Sequence, residues 1–167
     1  MDPFNVNGLP LHVLIVHLTV VLVPVTALAV LLVALWPEAR RRLGVVVALM
    51  GIVVIALVPL TTTAGQWLKD RVFGTPLIET HAAIGNSLWP WSLALGLLAV
   101  ATWLWYFVTD GRARADTPPG AGRRAVGFVL AVLALGIGGM ATYQTVLAGE
   151  SGSRAVWEGT FTDTPGG

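Results

Sequence analysis

The chain has no cysteine among its 167 residues. That absence excludes disulfides, thiolate metal sites, iron–sulfur clusters and covalently attached c-type haem. Lysine is nearly missing as well: Lys69 stands alone beside nine arginines, a bias that points to a GC-rich bacterial gene. Charge of either sign is scarce. Asp, Glu, Lys and Arg make up 11% of the residues, where soluble domains carry about 25%. A disordered chain, a nucleic-acid-binding tail and an ordinary cytosolic enzyme are thereby excluded. Apolar residues dominate instead, at 55%, with a mean hydropathy of +0.76. The length is that of a single domain. A net charge of +1 decides nothing, because only the placement of charge matters in such a chain.

Four intervals carry no charged residue: 3–37, 43–68, 80–109 and 125–149. Each exceeds the roughly 20 apolar residues that cross the hydrocarbon core as a helix, and no run of alternating strands suggests a barrel. The expected fold is all-α, an integral membrane four-helix bundle of up-down topology. Its spans are read as Pro10–Trp36, Leu43–Gln66, Pro76–Phe107 and Ala125–Ala148. Pro10 suits a first helical position, and Pro24 and Pro90 are expected to kink helices 1 and 3. Residues 109–124 read as a flexible cytoplasmic loop, and 149–167 as an exposed tail that opens with a helix-ending turn at Gly149–Ser153. No basic residue precedes the first apolar run, so a signal peptide is not expected.

Arginine and lysine set the direction. Arg40, Arg41, Arg42, Arg112, Arg114, Arg123 and Arg124 fall in the 1–2 and 3–4 connections, while Lys69, Arg71 and Arg154 fall on the opposite side. The positive-inside rule then puts both basic loops in the cytoplasm and both termini outside a bacterial inner membrane. Trp36, Trp103, Trp105 and Tyr106 would anchor the inner boundary, and Trp67 and Trp157 the outer one.

The remaining polar residues collect at one end. His12 and His17 open helix 1, Thr61, Thr62, Thr63 and Gln66 close helix 2, His81 and Asn86 open helix 3, and Tyr143, Gln144 and Glu150 close helix 4. His12 and His17 are five apart, about 140° of helical rotation, so they do not both face one centre. Depth counted from Pro10 and Pro76 selects His17 and His81 as the facing pair, with His12 at the rim. A weak repeat supports two similar hairpins: Gly8-Leu9-Pro10-Leu11 matches Gly74-Thr75-Pro76-Leu77, and Ala64-Gly65-Gln66 matches Ala148-Gly149-Glu150. Such hairpins would set His17, Gln66, His81 and Glu150 around one outward-facing centre.

Two chemistries suit that cluster. Neutral imidazoles of His17 and His81 can ligate a b-type haem axially, with His12 nearby and Gln66 or Tyr143 tuning the site, for electron transfer near the outer face. Alternatively His17, His81 and Glu150, with His12 as a further donor, can hold a bare transition metal. A single cluster near one surface argues against transport, and no G-x-S-x-G or paired carboxylates support hydrolysis. The competing reading is a non-redox membrane scaffold or partner subunit whose histidines are structural. Beyond the lipid bilayer, a redox partner protein or a second copy of the chain would be the expected partner, and not a nucleic acid.

The segments LPLHVLIVHLTVVLVPVTALAVLLVALWP, VPLTTTAGQWLKDRV, PLIETHAAIGNSLWPW and GESGSRAVW resemble the bacterial membrane proteins of the domain-of-unknown-function family 2231. The resemblance covers nearly the whole chain. It implies a four-helix protein with a histidine pair at the head of helix 1 and a histidine at the head of helix 3, similar in outline to dihaem cytochrome b bundles. Carried over by position, its motif residues are His12, His17, His81, Gly149, Ser151, Gly152 and Trp157. This chain departs from relatives that are acidic at Gln66 and carry histidine at Glu150, which argues against a second haem.

Overall fold

A computed structural model describes residues 3–110 and 120–160. Most of the expected 109–124 loop and the last part of the tail lie outside the described residues. The chain opens with a two-residue antiparallel ladder, β1 (Asn5–Val6) and β2 (Leu9–Pro10). Asn7 and Gly8 turn it with positive φ of 52° and 83°, the left-handed pair that a tight hairpin demands and that Asn-Gly supplies. The helices α1 (Leu11–Leu35), α2 (Pro37–Lys69), α3 (Pro76–Asp110) and α4 (Ala121–Trp157) follow. All four are long and apolar enough to cross a membrane.

Several boundaries differ from expectation. Pro10 is the extended residue before α1, at φ −62° and ψ 128°, and not its first helical residue. The expected loop after helix 1 is a single residue. Proline disfavours the helical region for the residue before it, so Trp36 is extended at φ −115° and ψ 112° while Pro37 starts α2 at once. Arg40, Arg41 and Arg42 are therefore helical. At its other end α4 runs nine residues past Ala148, so Gly149–Ser153 is helix and not a turn. The Glu150–Arg154 pair at 2.8 Å spans one turn of this extension, and the helix stops where Glu158 becomes extended ahead of left-handed Gly159. At about 1.5 Å per residue, α2, α3 and α4 each exceed the ~30 Å hydrocarbon core by several turns.

Each helix packs on its sequence neighbours, α1 closes the ring against α4, and α1 also meets α3 across the diagonal. The core is Val23, Val30, Val33, Val47, Val54, Val58 and Leu95, with alanines between them. Small residues bring the backbones together, since lipid supplies no hydrophobic drive for helix pairing. A Cβ on Gly51 would stand 2.7 Å from Ala99 Cβ, and one on Gly138 2.8 Å from Ala27 Cβ, whereas Gly136 and Gly139 face open space.

One end of the bundle is clamped. The last carbonyls of a helix lack intrahelical donors. Here Arg40 donates from Nε to Val33 O (3.2 Å) and from Nη2 to Ala34 O (3.0 Å). Its guanidinium lies 3.3 Å above the Tyr106 ring, and the Tyr106 hydroxyl donates to Ala34 O at 3.2 Å. Tyr106, expected at the lipid boundary, is thus buried, 3% exposed. Glu38 accepts from both Arg41 and Arg42.

Candidate functional site

At the opposite end the starts of α1 and α3 meet the ends of α2 and α4. His12 is the second residue of α1, and its Nδ1–H donates to the Thr61 carbonyl on α2 at 2.9 Å. A carbonyl only accepts, so this bond places a proton on Nδ1. On α3, His81 Nδ1 lies 3.1 Å from Ser151 Oγ on α4. The single hydroxyl proton of Ser151 goes to the Ala148 carbonyl at 3.1 Å. His81 and Ser151 are thereby linked across the α3–α4 interface. Neither Nε2 has a hydrogen-bond partner among the described residues. The two rings make a T-shaped, edge-on contact with centroids 6.1 Å apart and planes at 73°.

Glycine makes both placements possible. A Cβ on Gly65 would stand 2.9 Å from His12 Nδ1, and one on Gly152 3.0 Å from His81 Cε1. Each ring thus lies directly against the backbone of the neighbouring helix. The carbonyl engaged on each side, Thr61 or Ala148 through Ser151, lies four residues before that glycine. The two hairpins are accordingly matched through Gly65 and Gly152. The sequence alignment of Gly65 with Gly149 is three residues out of register, and Gly149 has nothing within 4 Å of a Cβ.

His17 does not join the pair. It is exposed, and its Nδ1 lies 3.3 Å from Val13 O of its own helix. The ring beside His81 is that of His12. His81 is the sixth residue of α3 and His12 the second of α1, so α3 starts about one turn higher. Glu150 is also absent from the centre: exposed, it accepts from Arg154 Nη2 at 2.8 Å. His17, His81 and Glu150 therefore do not assemble, and no three His, Asp or Glu side chains among the described residues form a metal-holding group. Tyr143 points outward, 56% exposed. Gln66, beside Gly65, donates Nε2 to Asn86 Oδ1 at 3.4 Å and links α2 to α3.

The Thr61 carbonyl and the two glycine cradles escaped residue-by-residue reading, since a backbone acceptor leaves no side-chain signature. Ser151 and Gly152 were visible only as motif positions. The hairpin escaped too, although Asn7-Gly8 is a strong turn signal. It is held to the end of α2 by Phe4, whose ring lies 6.2 Å from Trp67, while Arg71 covers Trp67 at 4.1 Å. Lys69 Nζ and Glu79 Oε2, 2.6 Å apart, join α2 to the start of α3.

Chemically, the site offers two imidazoles, each anchored through Nδ1 to a neighbouring helix. The family model described as "predicted membrane protein (DUF2231)" matches residues 8–165. No curated protein and no solved structure matches the chain.

Proposed function

Because this chain belongs to the DUF2231 family of predicted membrane proteins, we propose that it is a bilayer-spanning subunit whose His12–His81 pair binds one transition-metal centre for electron transfer. The observation that carries this reading is the approach of two histidine rings from α1 and α3, centroids 6.1 Å apart, each with its Nδ1 held by a neighbouring helix. Metal-ligating histidines are oriented in this way, with the second nitrogen donating to a carbonyl or similar group. Haem b iron and a bare ion share this imidazole chemistry. The Arg40 clamp end lies in the cytoplasm of a bacterial inner membrane, and the imidazole end faces outward.

Absorption spectroscopy and elemental analysis of the purified, tag-free protein test the reading. The expected result is a haem spectrum or a stoichiometric metal, lost in His12→Gln and His81→Gln and kept in His17→Ala. A colourless, metal-free protein that takes up neither hemin nor any first-row ion overturns it. That outcome favours the scaffold reading, which has its own support: His12 ties α1 to α2 and His81 ties α3 to α4.

A further inference from the structure

The end of the bundle opposite the histidines carries an excess of arginine. Arg40, Arg41 and Arg42 lie in the first two turns of α2, and Arg123 and Arg124 in the first turn of α4. The connection from α3 to α4 adds Arg112 and Arg114 by sequence. Against these seven guanidiniums stand three carboxylates, Glu38, Asp110 and Asp116. With every carboxylate paired, four positive charges still remain at this end. The other mouth has the reverse balance, three basic residues against six acidic ones.

The fold brings part of this excess together. Gly127 of α4 lies against the carbonyl clamp: a Cβ there would stand 3.0 Å from the Tyr106 hydroxyl and 3.9 Å from Ala34 O. Arg123 sits one turn earlier on the same face of α4. It is close enough to Arg40 for the two charges to repel. Arg40 is bonded to two carbonyls and stacked on the Tyr106 ring, partners that carry no charge. Arg124 is exposed next to Arg123, and Arg41 and Arg42 share Glu38 at the surface. Large apolar side chains are exposed around the same end, among them Leu35, Trp36, Phe107 and Phe128. The guanidiniums therefore stand where the lipid-facing surface gives way to headgroups.

We propose that the corner between the starts of α2 and α4 binds the phosphate of an anionic phospholipid, with Arg40, Arg123 and Arg124 as the contacting groups. A planar guanidinium matches phosphate oxygens with paired N–H bonds. Basic pockets between membrane helices take such headgroups, and the bilayer supplies a lipid phosphate at this depth. The site is remote from the histidine pair and independent of what that pair binds.

Native mass spectrometry of the full-length protein released from detergent tests the site. Phosphatidylglycerol is compared with phosphatidylcholine of the same acyl chains. Retention of the anionic lipid is expected, with a preference of roughly tenfold or more. Arg123→Gln and Arg124→Gln should each weaken retention roughly fivefold, with circular dichroism showing that both stay helical. Lys69→Gln, at the other mouth, should retain lipid like the parent protein. Rising ionic strength should lower the preference in the unsubstituted protein, a readout that needs no variant to fold. Equal retention of both lipids at low salt would overturn the assignment and leave the patch to an acidic protein partner. Displacement of the lipid by inorganic phosphate, or unchanged retention in the double variant Arg123→Gln/Arg124→Gln, would overturn it as well.

Discussion

Gly152 and His81 are in direct contact across the α3–α4 interface, so close that a Cβ on Gly152 would stand 3.0 Å from His81 Cε1. Gly149, one turn earlier on α4, has open space around it. The two glycines should respond to the same substitution with opposite sign. Gly149→Ala gains helix propensity of up to ~1 kcal/mol. Gly152→Ala gains the same propensity but requires the packed imidazole to give by a few tenths of an ångström, an overpacking cost of about 1–3 kcal/mol. Thermal unfolding in detergent should show a higher midpoint for the first and a lower one for the second.

The carbonyl clamp at the other end gives a graded prediction. Tyr106→Phe removes one of two donors to Ala34 O and should cost about 1 kcal/mol. Arg40→Ala removes both guanidinium bonds and the ring contact, and should cost roughly 2–4 kcal/mol. Arg40→Lys should recover only part of that loss, because an ammonium lacks the planar fork that serves two carbonyls at once. Denaturant unfolding of the three variants gives the ranking, and equal values for all of them would show that the clamp is idle.

Exposed ion pairs should matter little. Glu150→Gln breaks the pair with Arg154, which lies on the outer face of α4. The expected change is under ~1 kcal/mol, with metal uptake like that of the parent protein. A large loss of uptake would instead place the Glu150 carboxylate in the centre.

Orientation is tested with reporters. A periplasm-active enzyme fused after Gly167 should be active, and one inserted between residues 112 and 119 should be silent. The reverse pattern would turn the imidazole site toward the cytoplasm.

The membrane helices were legible because charge-free stretches are long and unambiguous. Their ends were less so. Nothing in the composition of Glu38 to Arg42 distinguishes a basic loop from the first turns of a helix started by Pro37. Glycine and serine at 149–153 look like a stop, yet their smallness serves the packing of His81 against a helix that continues. The site was half legible. Three histidines at one end were evident, but which of His12 and His17 faces inward depends on how high α3 starts relative to α1, and one sequence carries no information on relative height. The groups that hold the two Nδ1 atoms are a main-chain carbonyl and a hydroxyl, one without a letter in the sequence and one too common to stand out.

The corner at Trp36 leaves α1 and α2 no slack. With one extended residue between them and Arg40 gripping the last carbonyls of α1, these two helices are hinged tightly at that end. Any opening of the bundle must therefore swing from the opposite mouth, where the α2–α3 connection spans residues 70–75 and the first two helices are tied at Thr61, by the His12 imidazole and the Thr19 hydroxyl. A solute seeking the paired rings would enter through that mouth.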